Sequence, residues 1–193
     1  MQNYYSEALT NLDRFLKTYP TDKNLAYVHY LIATCYYETI EDEKRDTAPL
    51  LKAKDKFIFV LKNYPNTDFA LDAKFKLDLI DDILASKEMY LARHYQKKNK
   101  WIAAINRYKN IVEKYDKTIF VEEALHRLVE INYKIGLTDE SKKYANILGY
   151  NYQSSKWYKK SYKVFNRDYK EETPKEIYKD KKGVVEKFKK LFD

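Results

Sequence analysis

Glycine and proline are scarce in this chain of 193 residues, which contains only 3 Gly and 4 Pro. Folds with many tight turns, such as sandwiches and barrels, need more of both residues. Phosphate-binding loops of the GxGxxG or GxxxxGK[ST] type are excluded as well, because the glycines stand far apart at Gly136, Gly149 and Gly183. The scarcity therefore favours a fold built almost wholly of α-helix.

Cysteine and long apolar runs are nearly absent too. Cys35 is the single cysteine, which excludes an internal disulfide framework and any CxxC motif. A chain of this length can bury a sizeable core without such links. The mean hydropathy is −0.74 and no apolar run approaches about 20 residues, so the sequence predicts no transmembrane helix. The N-terminus has no signal-peptide pattern, and we expect targeting information to be absent or removed.

Residues that could carry catalysis do not form a recognisable group. His29, His94 and His126 lie on different predicted helices and lack the spacing of a metal-binding motif. A cluster of aspartates at positions 78, 81 and 82 has no histidine partner and indicates a solvated surface. We therefore expect a protein that is not an enzyme and that holds no metal or cofactor.

The positive charge is concentrated at the C-terminus. The net charge is +8, and residues 156–193 carry 13 Lys and Arg against 7 Asp and Glu. The remainder is nearly balanced, so the excess does not mark the whole molecule as a nucleic-acid binder. A basic tail of this kind could face nucleic acid, anionic lipid or an acidic partner, or could be a solvated lysine-rich surface.

An internal repeat organises the rest of the chain. Small or apolar residues recur with spacings of 4, 3 and 5 residues, and the motif twice ends in a Tyr-Pro pair. The copies are Ala8, Leu12, Phe15, Pro20; Ala53, Phe57, Val60, Pro65; Ala104, Tyr108, Ile111, Asp116; and the weaker Ser141, Ala145, Leu148, Gln153. These offsets are typical of the second helix of a tetratricopeptide repeat.

A companion first helix precedes three of these copies. The clearest is Leu91, Ala92 and Tyr95, whose alanine lies 12 residues before Ala104. The other two copies are Ile32, Ala33, Tyr36, followed by a charged insertion at 41–47, and a poorer one at Leu128, Val129, Tyr133. Small residues let paired helices approach while aromatic side chains fill the gaps, so most of the 20 tyrosines are expected to pack between helices.

These patterns predict an all-α fold of antiparallel helix pairs stacked as a tetratricopeptide-repeat solenoid. The predicted helices cover residues 2–18, 23–41, 48–63, 67–98, 101–114, 119–135 and 138–149. A short capping helix is expected around Trp157, Tyr158, Tyr162 and Phe165. We divide the chain into a solenoid at 1–166, made of a half repeat, three repeats and a cap, and a basic tail at 167–193.

The end of the tail has a pattern of its own. Its apolar residues fall within about 120° of a helical wheel, and its charges occupy the remainder. The apolar set is Val184, Val185, Phe188, Leu191, Phe192, and the charged set is Glu186, Lys187, Lys189, Lys190. The sequence thus predicts a short basic amphipathic helix at 184–192. Docking on its own solenoid, on a partner or on an anionic membrane all remain open.

Four stretches of the chain match the sequence pattern of a known family. The most specific runs from Glu88 to Arg107, EMYLARHYQKKNKWIAAINR. Shorter matches are Val121–Leu125 (VEEAL), 136–140 (GLTDE) and the Tyr-Pro-Asn-Thr turn at 64–67. In these stretches the chain resembles the BamD family, the tetratricopeptide lipoproteins of the bacterial β-barrel assembly machinery. The resemblance covers about residues 7–158, and it implies that the chain starts at the second helix of the family's second repeat.

The resemblance also implies partners and a location. Family members dock on the membrane-proximal periplasmic POTRA domain of BamA, contact other subunits of the machinery and unfolded outer-membrane proteins, and are held at the periplasmic face of the outer membrane by a lipid anchor. The implied anchor would precede this chain. Arg107 matches the arginine that contributes to the BamA contact, and the residues expected to flank it are His94, Tyr95, Lys98, Trp101 and Asn106.

The expected function is therefore a non-enzymatic scaffold in outer-membrane protein assembly. The alternative is a soluble tetratricopeptide adaptor that binds partner peptides in its concave groove. A role in nucleic-acid binding through the basic tail ranks below both.

Overall fold

The computed structural model describes residues 2–39 and 47–166, and these form an all-α structure. The helices, all within those residues, are α1 (Gln2–Thr18), α2 (Leu25–Glu38), α3 (Ala48–Asn63), α4 (Asp68–Lys97), α5 (Trp101–Lys114), α6 (Val121–Lys134), α7 (Thr138–Asn151) and α8 (Lys156–Phe165). No strand occurs in the described part of the chain. None of these helices is both long and apolar enough to span a membrane. The predicted fold class is confirmed.

Most helix boundaries follow the sequence prediction, and local hydrogen bonds set them. α2 begins at Leu25, two residues later than expected, because the Asp22 carboxylate accepts the N–H of Asn24 at 2.7 Å and holds a turn there. At the start of α4 the Thr67 hydroxyl accepts the N–H of Ala70 at 3.2 Å, an ordinary N-cap. α4 then continues unbroken for 30 residues, as its lack of Pro and Gly predicts.

The helices stack as successive antiparallel pairs. The pairs are α2 with α3, α4 with α5, and α6 with α7, and α3 to α4 and α5 to α6 contacts join them. The long helix α4 belongs to two layers, since its first half packs on α3 and its second half packs on α5. This arrangement is that of a tetratricopeptide-like solenoid.

The repeated small residues are fully buried between packed helices. Ala53 and Ala104 have no exposed surface, and the aromatic residues four positions later, Phe57 and Tyr108, are also fully buried. The weaker fourth copy replaces alanine with Ser141, whose buried hydroxyl donates to the carbonyl of Val129 at 2.8 Å. A small polar residue is accepted there because its hydrogen bond is satisfied.

The first copy of the repeat is packed less completely. Ala8, Leu12 and Phe15 of α1 are half-buried, although their counterparts in α3 and α5 are fully buried. α1 packs mainly on α2. Its apolar face is therefore covered on one side only.

The expected capping helix is present as α8 and closes the other end of the stack. It packs on α6 and α7, and the Ser155 hydroxyl caps its start by accepting the N–H of Trp157 at 3.1 Å. Gly149 allows this approach, because a Cβ there would lie 2.8 Å from a ring carbon of Tyr158. The predicted tail helix at 184–192 and residues 41–46 of the charged insertion lie outside the described residues.

Two helices end in the left-handed backbone conformation. After α6, Gly136 has a φ of 86°, and the N–H of Leu137 reaches back to the carbonyl of Asn132 at 2.8 Å. After α4, Asn99 has a φ of 56°, and the N–H of Lys100 reaches the carbonyl of Tyr95 at 2.9 Å. Both ends are Schellman motifs, one with the usual glycine and the other with asparagine.

Substitutions at these two positions should change stability in opposite directions. Gly136→Ala has room for its methyl group but forces a side chain into the left-handed region, so we expect a loss of about 1–2 kcal/mol. Asn99→Gly relieves that strain and should raise the free energy of unfolding. The gain should be smaller than the loss in Gly136→Ala, because glycine also gains entropy in the unfolded chain. Urea unfolding measures both, and equal signs for the two changes would contradict the assignment.

Enlarging the small residues at the crossings should overpack the stack. We expect Ala53→Phe or Ala104→Phe to lower the free energy of unfolding by about 1–3 kcal/mol. The control is Ile102→Phe on the same helix as Ala104, since Ile102 is 67% exposed and should tolerate the ring. Thermal unfolding of the three variants checks this, and full tolerance of both alanine replacements would refute the repeat alignment.

Candidate functional site

Arg107 is held in the groove between α4 and α5. Its Nη1 donates to both carboxylate oxygens of Glu88, at 2.9 and 3.2 Å. The side-chain amide of Asn110 donates to the same carboxylate at 3.3 Å. The Arg107 side chain is 37% exposed and that of Glu88 is 18% exposed, so the pair is open to solvent on the arginine side. Arg107 thus has a fixed position and an accessible cation.

The flanking residues named by the sequence analysis occupy the same two helices but different sides of them. Asn106 is exposed, and it lies one turn after the exposed Ile102 on the solvent face of α5. Trp101 packs against the C-terminal core, and the Lys134 ammonium of α6 lies 4.5 Å from its ring centroid. Because Trp101 and Arg107 are six residues apart, they point about 120° away from each other around α5.

The remaining predicted residues lie where α4 ends. The rings of His94 and Tyr95 meet edge to face at 5.9 Å, with His94 exposed and Tyr95 packed against the C-terminal core. Lys98 is exposed and forms the C-cap of α4. The structure therefore brings His94, Tyr95 and Lys98 together at one end of the α4–α5 pair, while Arg107 lies further along it, beside Glu88.

A second ion cluster joins α4 to α6, and the sequence analysis missed it. Arg93 of α4 binds Glu123 through two hydrogen bonds, Nε to Oε1 at 3.1 Å and Nη2 to Oε2 at 2.6 Å. Arg127 lies 3.5 Å from the same Glu123 and donates to Glu130 at 2.7 Å. Planar, bidentate arginine–carboxylate pairs such as the first are among the strongest polar contacts in proteins.

The cluster continues into the interior through His126. Its Nδ1 lies 2.8 Å from the hydroxyl of Ser161 on α8, and its Nε2 lies 3.3 Å from Glu130. Burial alone would raise the pKa of Glu130, but hydrogen bonds and charge from His126 and Arg127 outweigh it and lower that pKa to about 2. The cluster therefore joins α4 to α6 by ion pairs, and α6 to α8 by the hydrogen bond of His126 with Ser161.

Part of this cluster has a sequence signal and part does not. The spacings of Glu123, Arg127 and Glu130 are those of neighbours on one helix face, which periodicity alone can find. The pairs of Arg93 with Glu123 and of His126 with Ser161 join residues 30 and 35 positions apart. Only the stacking of helices places such residues together.

The surface formed by these arginine–carboxylate pairs can recognise a partner through charge. Tyr108, fully buried beneath it, donates to Gln96 at 2.6 Å, and burial raises its pKa to about 12, so it stays a neutral donor. Within residues 2–39 and 47–166, no group of His, Cys, Asp and Glu is arranged to hold a metal ion. The arrangement presents fixed guanidinium groups to solvent.

Glu130 should make stability depend on pH. Its pKa is about 2 in the folded protein and about 4.3 in an unfolded chain, so the folded state favours the charged form. This stabilisation is complete above about pH 4.5 and is lost as the pH falls toward 2. We expect Glu130→Gln to lower the free energy of unfolding at pH 7 and to match the parent at about pH 2.

The control for this prediction is Glu113→Gln, at an exposed residue of α5. Urea unfolding across this range is the measurement, and a deficit in Glu130→Gln that is independent of pH would exclude the charge as its cause.

Comparison with known proteins identifies relatives of this chain. A family model described as "YfiO: Outer membrane lipoprotein" matches residues 1–148. The chain is 43% identical over 160 residues to the outer membrane protein assembly factor BamD of Rickettsia prowazekii, a match that covers 83% of this chain and 64% of that protein.

Two further relatives carry the same name. The chain is 42% identical over 166 residues to BamD of Caulobacter vibrioides, covering 86% of this chain and 54% of that protein. Identity to BamD of Neisseria gonorrhoeae is 31% over 140 residues, or 66% of this chain and 51% of that protein. The chain thus spans between half and two thirds of the length of these relatives. From the match to the family model and the level of identity, the chain belongs to the YfiO family of outer membrane lipoproteins, whose relatives named here are BamD proteins.

Proposed function

We propose that this chain is the scaffold portion of a BamD-type assembly factor, without catalytic activity of its own, that docks on a POTRA domain of BamA. Its task would be to support the folding and insertion of outer-membrane proteins, together with other subunits of the machinery, at the periplasmic face of the outer membrane. Two relatives more than 40% identical over most of this chain are named outer membrane protein assembly factors, and that supports the role.

Arg107 is the observation that carries the docking proposal. Both of its hydrogen bonds to Glu88 come from Nη1 alone, whereas a guanidinium has five N–H donors. Donors on Nε and Nη2 therefore remain to pair with a carboxylate of BamA. Glu88 fixes the direction of the fork in advance, so less side-chain entropy is lost when the partner binds.

The other proposed contact residues extend this surface. His94, Tyr95, Lys98 and Trp101 lie at the end of the α4–α5 pair, and Asn106 is on the solvent face of α5. We propose that they also contact the partner, at the end of the α4–α5 pair and on the neighbouring face of α5. We also retain the division of the chain into a solenoid at 1–166 and a basic tail at 167–193 as a proposal.

Replacing Arg107 should weaken binding to BamA much more than it affects folding. Truncating one partner of a buried charged contact costs about 2–5 kcal/mol of binding, so Arg107→Gln should reduce affinity for the POTRA domain by about 30-fold or more. The pair with Glu88 is partly exposed, so the loss in the free energy of unfolding should be at most about 1 kcal/mol. Arg107→Lys keeps the charge but not the fork and should give an intermediate loss.

Glu88→Gln provides the matched control. It weakens the same internal pair but leaves the arginine in place, so the binding loss should not exceed the cost of ordering one side chain, about 0.5–1.5 kcal/mol. Lys109→Gln removes one positive charge from the same helix and should bind normally. Calorimetric titration of each variant with the BamA POTRA domain, beside its melting temperature, gives the comparison. Equal binding losses in Arg107→Gln and Glu88→Gln would show that local structure, and not an arginine contact, is responsible.

A further inference from the structure

One face of α4 carries three exposed apolar side chains in a row. Leu71 is 59% exposed, Phe75 is 61% exposed and Leu79 is 49% exposed. They recur every fourth residue, so they lie along one side of the helix. That side faces away from Ala73 and Ile80, which are buried against the N-terminal core. A contiguous stripe of this kind is unlike the scattered apolar residues of an ordinary surface.

Aspartates border this stripe on the same side of the helix. On a wheel of 100° per residue, Asp68, Asp78 and Asp82 fall within about 60° of Phe75. Asp78 and Asp82 also line a cavity of about 230 Å³ between α4 and the α5–α6 turn. Its other charged lining residues are Asp81, Asp116, Lys114 and Lys117, so carboxylates outnumber ammonium groups there by four to two. We call the combination of Leu71, Phe75, Leu79 with Asp68, Asp78, Asp82 the acidic-apolar face of α4.

Such a face suits a helix with one apolar side and positive flanks. The segment 184–192 has that pattern, with five apolar residues on one side and Lys187, Lys189 and Lys190 on the other. We propose that residues 184–192 dock as an amphipathic helix on the acidic-apolar face of α4 in the same chain. Burial of both stripes supplies the attraction, and the opposite charges select the partner surface.

The chain between the two segments is long enough for this contact. The 17 residues from Arg167 to Gly183 can span at most about 55–60 Å. Successive packing of α8 on α6, α6 on α5 and α5 on α4 places three interaxial steps between the ends, about 24–30 Å in all. Phe165 lies against Tyr133 near the end of α6, which adds about 20 Å along that helix. Glu88, which meets Arg107 of α5, is 13 residues after Phe75, so the path includes a further 20 Å or so along α4. The direct distance is then at most about 50 Å, which the linker can span.

A nearer groove exists, and its charge is wrong for this occupant. A cavity of about 450 Å³ between α7 and α8 is lined by Tyr150, Tyr158, Tyr162 and Phe165. Lys142 also lines it, and α8 contributes further lysines along its length. A lysine-rich helix docked there would meet charges of its own sign, which costs free energy. The charge pattern therefore directs the tail to α4.

Cross-linking in the whole chain can test this directly. All variants carry Cys35→Ser, and Asp193→Cys places one thiol at the end of the tail. The second thiol is either Lys74→Cys, beside the acidic-apolar face, or Lys142→Cys, at the α7–α8 groove; both replace exposed lysines. A bismaleimide that spans about 10 Å, about one interaxial distance, can join the two thiols even if the docked tail helix is shifted along α4. We expect the Lys74→Cys pair to form internal cross-links about tenfold faster, because docking raises the effective concentration.

Charge reversal separates docking from simple proximity. Asp78→Lys with Asp82→Lys should bring the Lys74→Cys rate down to that of the Lys142→Cys control. Asp139→Lys with Glu140→Lys, an exposed pair on α7, changes the net charge equally and should leave the fast rate intact. Raising the salt concentration should slow the fast pair.

Several results would overturn the proposal. Equal rates for the two thiol pairs, or a faster reaction at Lys142→Cys, would place the tail elsewhere. Cross-links that join two chains into a dimer would show that the contact is not made within one chain. An unchanged fast rate after the reversal of Asp78 and Asp82 would remove the charge selection on which the proposal depends. None of these outcomes bears on Arg107, so the proposed function is tested separately.

Discussion

The close approach of paired helices at small residues is the constraint on which this structure depends. At Ala53, Ala104 and Ser141 the exposed surface is zero, and the next helix packs directly over them. That approach allows Phe57 and Tyr108 to be buried completely between layers. Any larger residue at these crossings would separate the helices and expose the aromatic rings, so the geometry of the whole stack follows from them.

The long helix α4 turns this stack into one connected unit. Along its length it makes polar contacts with four other helices: Asp72 with Tyr30 of α2, Asp81 with Lys54 of α3, Glu88 with Arg107 of α5, and Arg93 with Glu123 of α6. In repeat proteins each repeat normally contacts only its neighbours, so the free energy of unfolding is close to a sum over single repeats and the interfaces between them. Because α4 is shared by two layers, one layer cannot unfold without disturbing the other. The described helices should therefore unfold more cooperatively.

The same helix supplies both surfaces proposed to bind other segments. Its second half orients Arg107 through Glu88, and its first half exposes Leu71, Phe75 and Leu79. The two surfaces differ in kind. The first relies on a fixed guanidinium with donors to spare, whereas the second relies on an apolar stripe bordered by carboxylates. Charge on each surface sets which partner fits, and burial supplies most of the attraction.

The sequence by itself determined the helices and their pairing. Scarce Gly and Pro, the spacing from Ala53 to Val60 and its recurrence from Ala104 to Ile111 predicted an all-α solenoid, and even the unbroken α4. The stretch from Glu88 to Arg107 also indicated the family, which the comparisons confirm. These features are encoded within one or two turns of helix, where periodicity and local propensity act.

Tertiary structure alone decided which polar groups of different helices meet. The sequence pointed to Arg107 but not to Glu88 as its neighbour, and it treated Asp81 as solvated, although the structure pairs Asp81 with Lys54. It found no metal-binding spacing around His126 and assigned that residue no partner, whereas the structure buries it between Glu130 and Ser161. Such contacts join residues 19 to 35 positions apart, apart from the local pair of His126 with Glu130. They depend on the rotation and stagger of whole helices, which hydrophobic burial sets and no local pattern records.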